Sequence, residues 1–397
     1  MKKKILIVSH AMELGGAERA LLGLLNSFDY EKFDVELFLF NQSGELYELI
    51  PKEVVLLNEK KAYSTLEISM VSALKQGAIG TVLGRCLGIY NSKKYCKKHS
   101  VSVPYYVGIN YSNKYTAPFM PKISDTEYDV AISFLTPHYF VEKKVNAKKK
   151  IAWIHTDYSS VEIDQETELK MWSKFDNIIS ISENVTNSFL KVFPTLKDKI
   201  VLIENIIDED LINAQADAFS VEEEMPSDSI KLLSIGRFCD AKNFDNVPEM
   251  MKMMLSKGYN VKWYLIGFGI DENLIKSKID EFNMQENVII LGKKSNPYPY
   301  IKACDFYLQP SRYEGKSVSI REAQILHKPV AIANFSTAKS QLVDGYDGLI
   351  FELENEKFVD GVTNLIDNNE LKEKLIQGTI DTTYTNKEEI EKLYELI

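Results

Sequence analysis

Short apolar runs separated by segments of helical periodicity constrain the fold of this chain most strongly. Most of the runs are continuously apolar rather than alternating, which is typical of parallel strands buried on both faces. The runs are Ile5–Ser9, Val35–Phe40, Val54–Leu57, Val130–Leu135, Ile151–His155, Ile178–Ile181, Leu232–Gly236, Val261–Gly267, Val288–Leu291, Phe306–Gln309, Val330–Ala333 and Leu349–Phe351. Amphipathic stretches such as Phe244–Ser256, Asp271–Phe282 and Ser317–Leu326 lie between them. This succession of βαβ units predicts an α/β fold with doubly wound parallel sheets.

The pattern begins a second time in the middle of the chain, which predicts two Rossmann-like domains with a ligand cleft between them. The 397 residues suffice for two domains. We expect the N-terminal domain over 1–204 and the C-terminal domain over 230–384, with an acidic, non-periodic linker over 205–229. Residues 60–125 fit the pattern poorly and predict a helical and aromatic insertion. We expect 385–397 to be a helix that crosses back to the first domain.

Charge is distributed unevenly. With 47 basic and 57 acidic side chains, the net charge of −10 argues against a nucleic-acid partner. The region 60–150 nevertheless carries 15 basic and 5 acidic residues, and Lys93, Lys94, Lys97 and Lys98 cluster within it. Two interpretations are open: a solvated lysine-rich face, or a patch that holds the domain on an anionic membrane surface, where each lysine contributes about 1 kcal/mol.

Cysteine usage and the N-terminal segment bear on the compartment. The four cysteines have no metal-like spacing, as expected for reduced thiols. The apolar stretch behind the basic N-terminus ends after Val8 and is too short for a secretory signal. No apolar run approaches the roughly 18–20 residues that span a bilayer. We therefore expect a cytoplasmic enzyme, soluble or peripheral on the inner face of the cell membrane.

The segment from Gln309 to Ala323 combines a strand end, a glycine-containing loop and the start of a helix. Glu314 and Gly315 lie in the loop, and Glu322 lies in the helix. Free backbone amides at a helix N-terminus favour anions. Together, the amides and carboxylates predict a site for a polyhydroxylated, diphosphorylated ligand.

A second strand-to-helix segment, Gly236 to Asn243, carries the cations Arg237 and Lys242. Negative charge grows on a nucleoside diphosphate as its bond to a sugar breaks, and fixed cations stabilise that charge. By themselves, the two residues favour the interpretation of surface cations near a helix start; beside the Glu314 and Glu322 segment, they favour a diphosphate site.

These motifs resemble those of the retaining, GT-B-fold glycosyltransferases of glycosyltransferase family 4, most of all enzymes that build bacterial capsular and other surface polysaccharides. The resemblance extends over nearly the whole chain and is strongest from 230 to 351. Its signatures are Gly236-Arg237-Phe238 with Lys242-Asn243, Pro310-Ser311-Arg312-Tyr313-Glu314-Gly315 and Arg321-Glu322-Ala323. It implies a GT-B fold, two doubly wound domains facing a central cleft, and a transferase that needs neither metal nor cofactor.

The resemblance also implies residue roles on the donor side. Arg237 and Lys242 would hold the diphosphate, Glu314 would bind hydroxyls of the donor sugar, and Glu322 would bind the ribose. The amides around Lys316 to Val318 would contact the phosphates, and the turn with Lys293 would hold the nucleobase. The donor-binding positions are therefore Glu322, Gly315, Lys316, Ser317, Val318, Lys293 and Gly236.

In the first domain, the resemblance implies an acceptor-side glycine pair, Gly15 and Gly16, with Glu18 behind it. A tight strand-to-helix turn is the alternative. His155 matches a cleft histidine that contacts the donor sugar near the reacting carbon, so the implied catalytic residues are Glu314, His155, Arg237 and Lys242. A structural histidine at a strand end is the alternative for His155.

Three positions depart from related patterns. Gln341 stands where many family members have a carboxylate, which puts that contact in doubt. Asp208-Glu209-Asp210 resembles a metal-binding motif but falls in the predicted linker. Gly267-Phe268-Gly269 is followed by Glu272 where a dinucleotide fingerprint needs its third glycine, which argues against a dehydrogenase.

The predicted function is transfer of a hexosyl unit, with retention, from a nucleoside diphosphate sugar to a saccharide acceptor. We choose a UDP-sugar as donor, on family frequency, and a polyprenyl-diphosphate-linked saccharide as acceptor. Two alternatives are open: a GT-B enzyme of other chemistry, such as a sugar-nucleotide epimerase or a phosphorylase, and a non-catalytic partner subunit that binds nucleotide sugar.

Overall fold

The computed structural model describes residues 2–13, 15–101, 105–135, 137–156, 158, 161–315 and 317–397. They form two compact units. The first comprises Met1–Ile207 with Asn386–Ile397, and the second comprises Asp208–Thr385.

A parallel seven-stranded sheet in the order β3-β2-β1-β4-β5-β6-β7 forms the centre of the first unit. Its strands are β1 Lys3–Ser9, β2 Phe33–Leu39, β3 Val55–Leu56, β4 Glu127–Ser133, β5 Asn146–Ile154, β6 Asn177–Ser180 and β7 Ile200–Leu202. Central strands such as β1 are buried on both faces from Ile5 onward, as the continuous apolar runs predict.

Eight helices connect these strands within the described part of the first unit. They are α1 Gly16–Ser27, α2 Lys61–Ser64, α3 Met70–Lys75, α4 Ile79–His99, α5 Tyr105–Thr116, α6 Tyr139–Lys144, α7 Gln165–Trp172 and α8 Glu183–Val192. Side-chain caps start three of them: Ser69 accepts from the Ser72 amide of α3, Asp164 from the Thr167 amide of α7, and Ser182 from the Val185 amide of α8.

The predicted insertion contains α2 to α5, and α4 packs closely on α5. Glycines on one face of α4 permit this approach: a Cβ on Gly84 would collide with Thr116, and one on Gly88 would collide with Ser112. Because the glycine face is turned toward α5, the larger apolar residues of α4 lie on other faces of the helix.

The second unit contains a parallel six-stranded sheet in the order β10-β9-β8-β11-β12-β13. Its strands are β8 Ile230–Ile235, β9 Val261–Ile266, β10 Val288–Gly292, β11 Phe306–Gln309, β12 Val330–Ala333 and β13 Leu349–Phe351. Its helices are α9 Glu209–Ala216, α10 Val247–Ser256, α11 Glu272–Phe282, α12 Tyr298–Ala303, α13 Val318–Ile325, α14 Asn355–Asp367 and α15 Asn369–Ile380. The doubly wound parallel fold predicted for both halves is confirmed.

The structure differs from the prediction of a linker over 205–229. Residues from Asp208 onward belong to the second unit, and α9 begins there with the Asp208 side chain as its N-cap. Ile212, Val221 and Met225 are buried. The few apolar residues of this acidic stretch therefore pack into the second unit. Because they are irregularly spaced, no periodic pattern in the sequence indicates their burial.

The final helix, α16 Glu389–Tyr394, belongs to the first unit. The Tyr394 ring stacks on Phe33, with centroids 4.7 Å apart, and its hydroxyl accepts from the Asp29 amide at 2.7 Å. The Glu389 carboxylate accepts from the Glu204 amide at 3.0 Å. The chain therefore returns to the first sheet's unit after completing the second.

Candidate functional site

In each sheet the strand order reverses at one point, which lies between β1 and β4 in the first sheet and between β8 and β11 in the second. Ligands of doubly wound folds bind outside the carboxyl ends of the strands at such points. In the second unit, Gly236 follows β8 directly, and the segment that contains Glu314 follows β11. The topology therefore brings the two sequence motifs to one edge of the second sheet.

Lys242 and Glu314 form an ion pair at this edge. Their side chains are 16% and 9% exposed, respectively, so the pair is largely removed from water. The same oxygen of Glu314, Oε1, also accepts from Ser311 Oγ at 2.9 Å and from Gln309 Nε2 at 3.2 Å. Three donors converge on one carboxylate oxygen, which fixes the orientation of Glu314.

A set of polar contacts, the polar clamp, joins the segment after β8 to the segment after β11. The Arg312 guanidinium binds both oxygens of Asp245, at 2.9 and 2.8 Å. The Arg312 amide donates to the Ala241 carbonyl at 2.9 Å, and Asn243 Nδ2 donates to the Pro310 carbonyl at 2.9 Å. Asn243 has a positive φ of 61°, which the short polar side chain of asparagine tolerates. The clamp therefore positions Lys242 opposite Glu314.

Gly236 leaves room for the Lys242 side chain. A Cβ at this position would lie 2.9 Å from Lys242 Cε. A larger residue would displace the amine from Glu314, so glycine here serves the ion pair.

Glu322 lies in α13 and is only 2% exposed. Its Oε1 accepts from the Tyr298 hydroxyl at 2.9 Å. Tyr307 lies near both glutamates: burial raises the pKa of its hydroxyl, and the charges of Glu314 and Glu322 add to the effect. Both predicted carboxylates therefore lie within electrostatic range of one buried tyrosine of β11.

The loop between Glu314 and α13 differs from the prediction of free amides. The Ser317 amide donates to Gln341 Oε1 at 2.9 Å, and Gln341 Nε2 donates to the Gly315 carbonyl at 2.9 Å. A phosphate oxygen that binds the Ser317 amide must therefore displace the Gln341 side chain. Lys316 lies outside the described residues, and Val318, the first residue of α13, is 36% exposed.

Arg237 and Lys293 are both exposed. Arg237 forms no hydrogen bond or ion pair with any described residue, in contrast to Lys242. Lys293 follows the end of β10 and lies 5.5 Å from the centroid of the Phe268 ring. Their presence at strand ends on one sheet agrees with a ligand edge, but they do not join the Lys242–Glu314 pair.

In the first unit, the glycine pair precedes and starts α1. Gly15 is the N-cap and Gly16 the first residue of the helix. A Cβ on Gly15 would collide with the carboxylate of Glu18, whereas one on Gly16 would meet nothing within 4 Å. The Glu18 side chain therefore folds back over the turn, and Gly16 is the position that leaves open space.

His155 follows β5 and lines a cavity of about 440 Å³ in the first unit. Its ring packs on Phe134, with centroids 4.7 Å apart. Burial lowers the pKa of His155 to about 4, so the ring is neutral near pH 7. A neutral imidazole can accept or donate a hydrogen bond, but it cannot supply positive charge to a leaving phosphate.

The cavity contains further titratable groups that the sequence motifs did not indicate. Burial raises the pKa of Glu168, in α7, to about 7. Burial, with a smaller contribution from His155, lowers the pKa of His138 to about 3. Glu168 accepts from Asn110 Nδ2 at 3.0 Å and from the Tyr158 hydroxyl at 2.9 Å. In the sequence, Glu168 is recognisable only as a glutamate on the inner face of an amphipathic helix, and such glutamates are too common to indicate a site.

Comparison with known proteins finds a family that matches part of this chain. Residues 215–382 match the family described as "Glycosyl transferases group 1". Among curated relatives, the chain is 27% identical over 234 residues to the capsular polysaccharide biosynthesis glycosyltransferase CapM of Staphylococcus aureus, covering 55% of this chain and 61% of the relative.

A second relative comes from Campylobacter jejuni and is named N-acetylgalactosamine-N,N'-diacetylbacillosaminyl-diphospho-undecaprenol 4-alpha-N-acetylgalactosaminyltransferase. It is 24% identical over 204 residues, covering 51% of this chain and 54% of the relative. The chain thus spans little more than half of the length of these curated relatives.

A solved structure similar over the full chain is that of HepE from Anabaena in complex with UDP, with a TM-score of 0.62, 14% identity and 100% coverage of both chains. At this identity the likeness concerns the fold. The GT-B architecture expected from the sequence is therefore confirmed.

Proposed function

We propose that this protein is a retaining, metal-independent hexosyltransferase of glycosyltransferase family 4 that acts in bacterial surface polysaccharide synthesis. The observation that carries the proposal is the Lys242–Glu314 pair at the carboxyl ends of β8 and β11. The match of residues 215–382 to group 1 glycosyl transferases supports it. The donor is a UDP-sugar, supported by the UDP complex of the similar fold. The acceptor is a polyprenyl-diphosphate-linked saccharide, supported by the name of the Campylobacter jejuni relative.

In the proposed reaction, Lys242 exchanges part of its contact with Glu314 for the diphosphate. Glu314, fixed by Ser311 and Gln309, accepts from donor-sugar hydroxyls through its second oxygen. The bond between the anomeric carbon and the phosphate oxygen breaks while the acceptor oxygen attacks from the same face. The acceptor proton passes to the departing phosphate oxygen, and the positive charge of Lys242 stabilises the negative charge that accumulates there. The exposed Arg237 adds a second cation at the same edge.

A transfer assay tests this proposal. The full chain is incubated with a panel of UDP-hexoses and an undecaprenyl-diphosphate-linked N-acetylhexosamine, and UDP release is measured together with the anomeric configuration of the product. We expect release of UDP and a product in which the transferred sugar keeps the anomeric configuration that it had in the donor. Lys242→Ala should lower turnover at least 100-fold, because it removes a positive charge that stabilises the departing phosphate in the transition state. Lys262→Ala is the matched control, since Lys262 pairs with Asp228 away from this edge.

Other outcomes identify the alternatives. An isomerised UDP-sugar without UDP release indicates an epimerase, and sugar 1-phosphate indicates a phosphorylase. Nucleotide binding without turnover on any acceptor indicates a partner subunit. Each of these results, or full activity of Lys242→Ala, would contradict the proposal.

We further propose that α4 docks the enzyme on the inner face of the cell membrane. Ile79, Leu83, Leu87 and Tyr90 follow each other at spacings of three and four residues, so they share one face of α4. They are 60, 51, 45 and 68% exposed. Lys93, Lys94, Lys97 and Lys98 continue the same helix. Apolar residues bordered by lysines fit the interface of an anionic bilayer.

Vesicle flotation tests the docking surface. No helix in the described ranges is long and apolar enough to span a bilayer. Leu87→Asp should abolish flotation with phosphatidylglycerol vesicles. Leu274→Asp, at an equally exposed leucine of α11 (45% for both), should leave flotation unchanged. Equal flotation of the two variants, or binding insensitive to anionic lipid and to salt, would refute this surface.

A further inference from the structure

The carboxylate of Glu322 is held by a residue of a different helix. Glu322 lies in α13, and its Oε1 accepts from the hydroxyl of Tyr298, in α12, at 2.9 Å. An ionised carboxylate only accepts hydrogen bonds, and its two oxygens offer about four acceptor positions. The bond from Tyr298 occupies one of these positions and orients the whole group.

The backbone of Tyr298 is fixed on both sides. Tyr298 is the first residue of α12 and lies between Pro297 and Pro299, whose rings restrict the chain. The Tyr298 amide donates to Asn296 Oδ1 at 3.1 Å. Asn296 Nδ2 donates in turn to the carbonyl oxygen and to Oε1 of Gln215, in α9, at 2.7 and 3.0 Å. The Tyr298 hydroxyl therefore belongs to a braced helix start.

Three helices of the second unit contact one another around this bond. Helix α12 contacts α13, which carries Glu322, and both helices contact α9. Helix α9 belongs to the acidic stretch that the sequence predicted to be a linker. This stretch therefore supports the helix that orients Glu322.

Helix α12 also follows the turn that is expected to hold the nucleobase. The strand β10 ends at Gly292, and α12 begins at Tyr298. Lys293 and Asn296 lie in the short segment between them. Because base and ribose are joined by a single bond, the groups that recognise them have to come from neighbouring elements. Tyr298 is in such a position, directly behind the base turn.

Burial explains why the two side chains are paired. Tyr298 is 9% exposed and Glu322 is 2% exposed. A buried hydroxyl or carboxylate without a partner would be costly, so the bond removes this cost for both groups. The expected place of Glu322 at the ribose then gives the pair a role in binding.

We infer that Tyr298 is a positioning residue for nucleotide recognition: its hydroxyl holds Glu322 in the orientation in which the carboxylate accepts from the ribose hydroxyls. The inference rests on the proposed function for the nature of the ligand, a nucleoside diphosphate. Tyr298 acts through Glu322 and does not touch the reacting atoms. Its contribution is therefore confined to the part of the affinity that the ribose hydroxyls provide.

Calorimetric titration with two nucleotides isolates this part. The full chain is titrated with UDP and with 2′,3′-dideoxy-UDP, which has the same base and diphosphate but lacks both ribose hydroxyls. The quantity compared is the preference for UDP, the ratio of the two dissociation constants. Tyr298→Phe removes the hydroxyl and keeps the ring. Tyr300→Phe is the matched control, because Tyr300 lies in the same helix, is 2% exposed and donates its hydroxyl to Glu224 at 2.6 Å.

We expect the wild type to bind UDP at least about tenfold more tightly than dideoxy-UDP, because hydrogen bonds to a charged group are the stronger ones. Tyr298→Phe should weaken UDP binding about five- to tenfold and dideoxy-UDP binding less than about twofold. Tyr300→Phe should leave the preference for UDP within about twofold of the wild-type value. A preference that Tyr298→Phe leaves unchanged, or that both variants reduce equally, would overturn the inference.

Glu322→Gln provides a second test, and it leaves no buried charge unpaired if the bond from Tyr298 is disturbed. It should reduce the preference for UDP by itself, and adding Tyr298→Phe should then reduce it by less than about twofold more. A wild-type preference in Glu322→Gln, or independent losses from the two substitutions, would contradict an action of Tyr298 through Glu322.

The wild-type affinities separate this inference from the proposed function. UDP binding without any preference over dideoxy-UDP refutes the roles of Glu322 and Tyr298 and leaves the diphosphate edge standing. No binding of UDP to the wild type refutes the proposed donor, and the inference falls with it.

Discussion

Replacing Lys242 with methionine removes one member of a nearly buried ion pair and leaves its partner in place. Methionine preserves the length and much of the volume of the lysine stem, so packing around Gly236 changes little. Glu314, whose side chain is 9% exposed, then keeps only the neutral donors Ser311 and Gln309. Breaking a buried pair from one side costs about 3–5 kcal/mol. Because those two donors remain, we expect the lower end, about 3 kcal/mol, for unfolding of the second unit.

The same substitution should weaken nucleotide binding. A charge-assisted hydrogen bond contributes about 1.5–3 kcal/mol, which corresponds to a loss of UDP affinity of roughly 10- to 150-fold. The magnitudes are measured by urea unfolding and by calorimetric titration with UDP. Lys262→Met is the control: it breaks the partly exposed pair with Asp228 and should cost no more than about 1 kcal/mol, with unchanged UDP affinity.

A double-mutant cycle with Glu314→Gln isolates the pair. If the two side chains stabilise each other, the double variant should be more stable than the sum of the single losses predicts, by more than about 1 kcal/mol. Additive losses, or a Lys242→Met variant as stable as Lys262→Met with wild-type UDP affinity, would refute the reasoning.

Two further predictions concern the first unit. Burial raises the pKa of Glu168 to about 7, so the folded state binds this proton more tightly than the unfolded state; its contribution to stability is present below pH 4.5 and is lost as the pH rises to 7. Glu168→Gln, which does not titrate, should therefore gain about 2 kcal/mol relative to wild type between pH 5 and pH 8, and a pH-independent difference in urea unfolding would contradict the assignment. Gly84→Ala introduces a Cβ that collides with Thr116 and should lower the free energy of unfolding by about 1–3 kcal/mol. Gly108→Ala, in α5 with nothing within 4 Å of the added Cβ, should raise it by about 0.5–1 kcal/mol. Stability changes of the same sign for both variants in thermal unfolding would be inconsistent with close α4–α5 packing.

Periodicity predicted the strands because continuous apolar burial leaves a direct mark on the sequence. All twelve predicted runs overlap a strand, and only β7, Ile200–Leu202, was missed in the described residues. That strand has three half-buried residues at the edge of its sheet, so it carries almost no apolar signal. The stretch after Asp208 was misjudged for a related reason: α9 is held by an aspartate cap and isolated apolar anchors rather than by a periodic face.

The candidate site likewise contains residues that local sequence patterns indicated and residues that they did not. Strand ends followed by glycine loops drew attention to the segments that contain Lys242 and Glu314, and the resemblance to family 4 glycosyltransferases implied the roles of these residues and of Gly236. The clamp between Arg312 and Asp245 joins residues that are 67 positions apart, and no local pattern indicates such a pair. The bonds from Gln341 to Ser317 and Gly315 were equally hidden. Asn110 and Glu168 meet only because the insertion folds onto the first sheet, which depends on tertiary packing.

Where the nucleotide binds is measured most directly by a crystal structure of the full chain soaked with a UDP-sugar. We expect the diphosphate within hydrogen-bond distance of Lys242 Nζ at the carboxyl ends of β8 and β11, with the ribose hydroxyls at Glu322 and the Gln341 side chain displaced from the Ser317 amide. Nucleotide density remote from β8 and β11, with the contacts of Lys242, Glu314 and Gln341 unchanged, would contradict the assignment of this edge as the donor site.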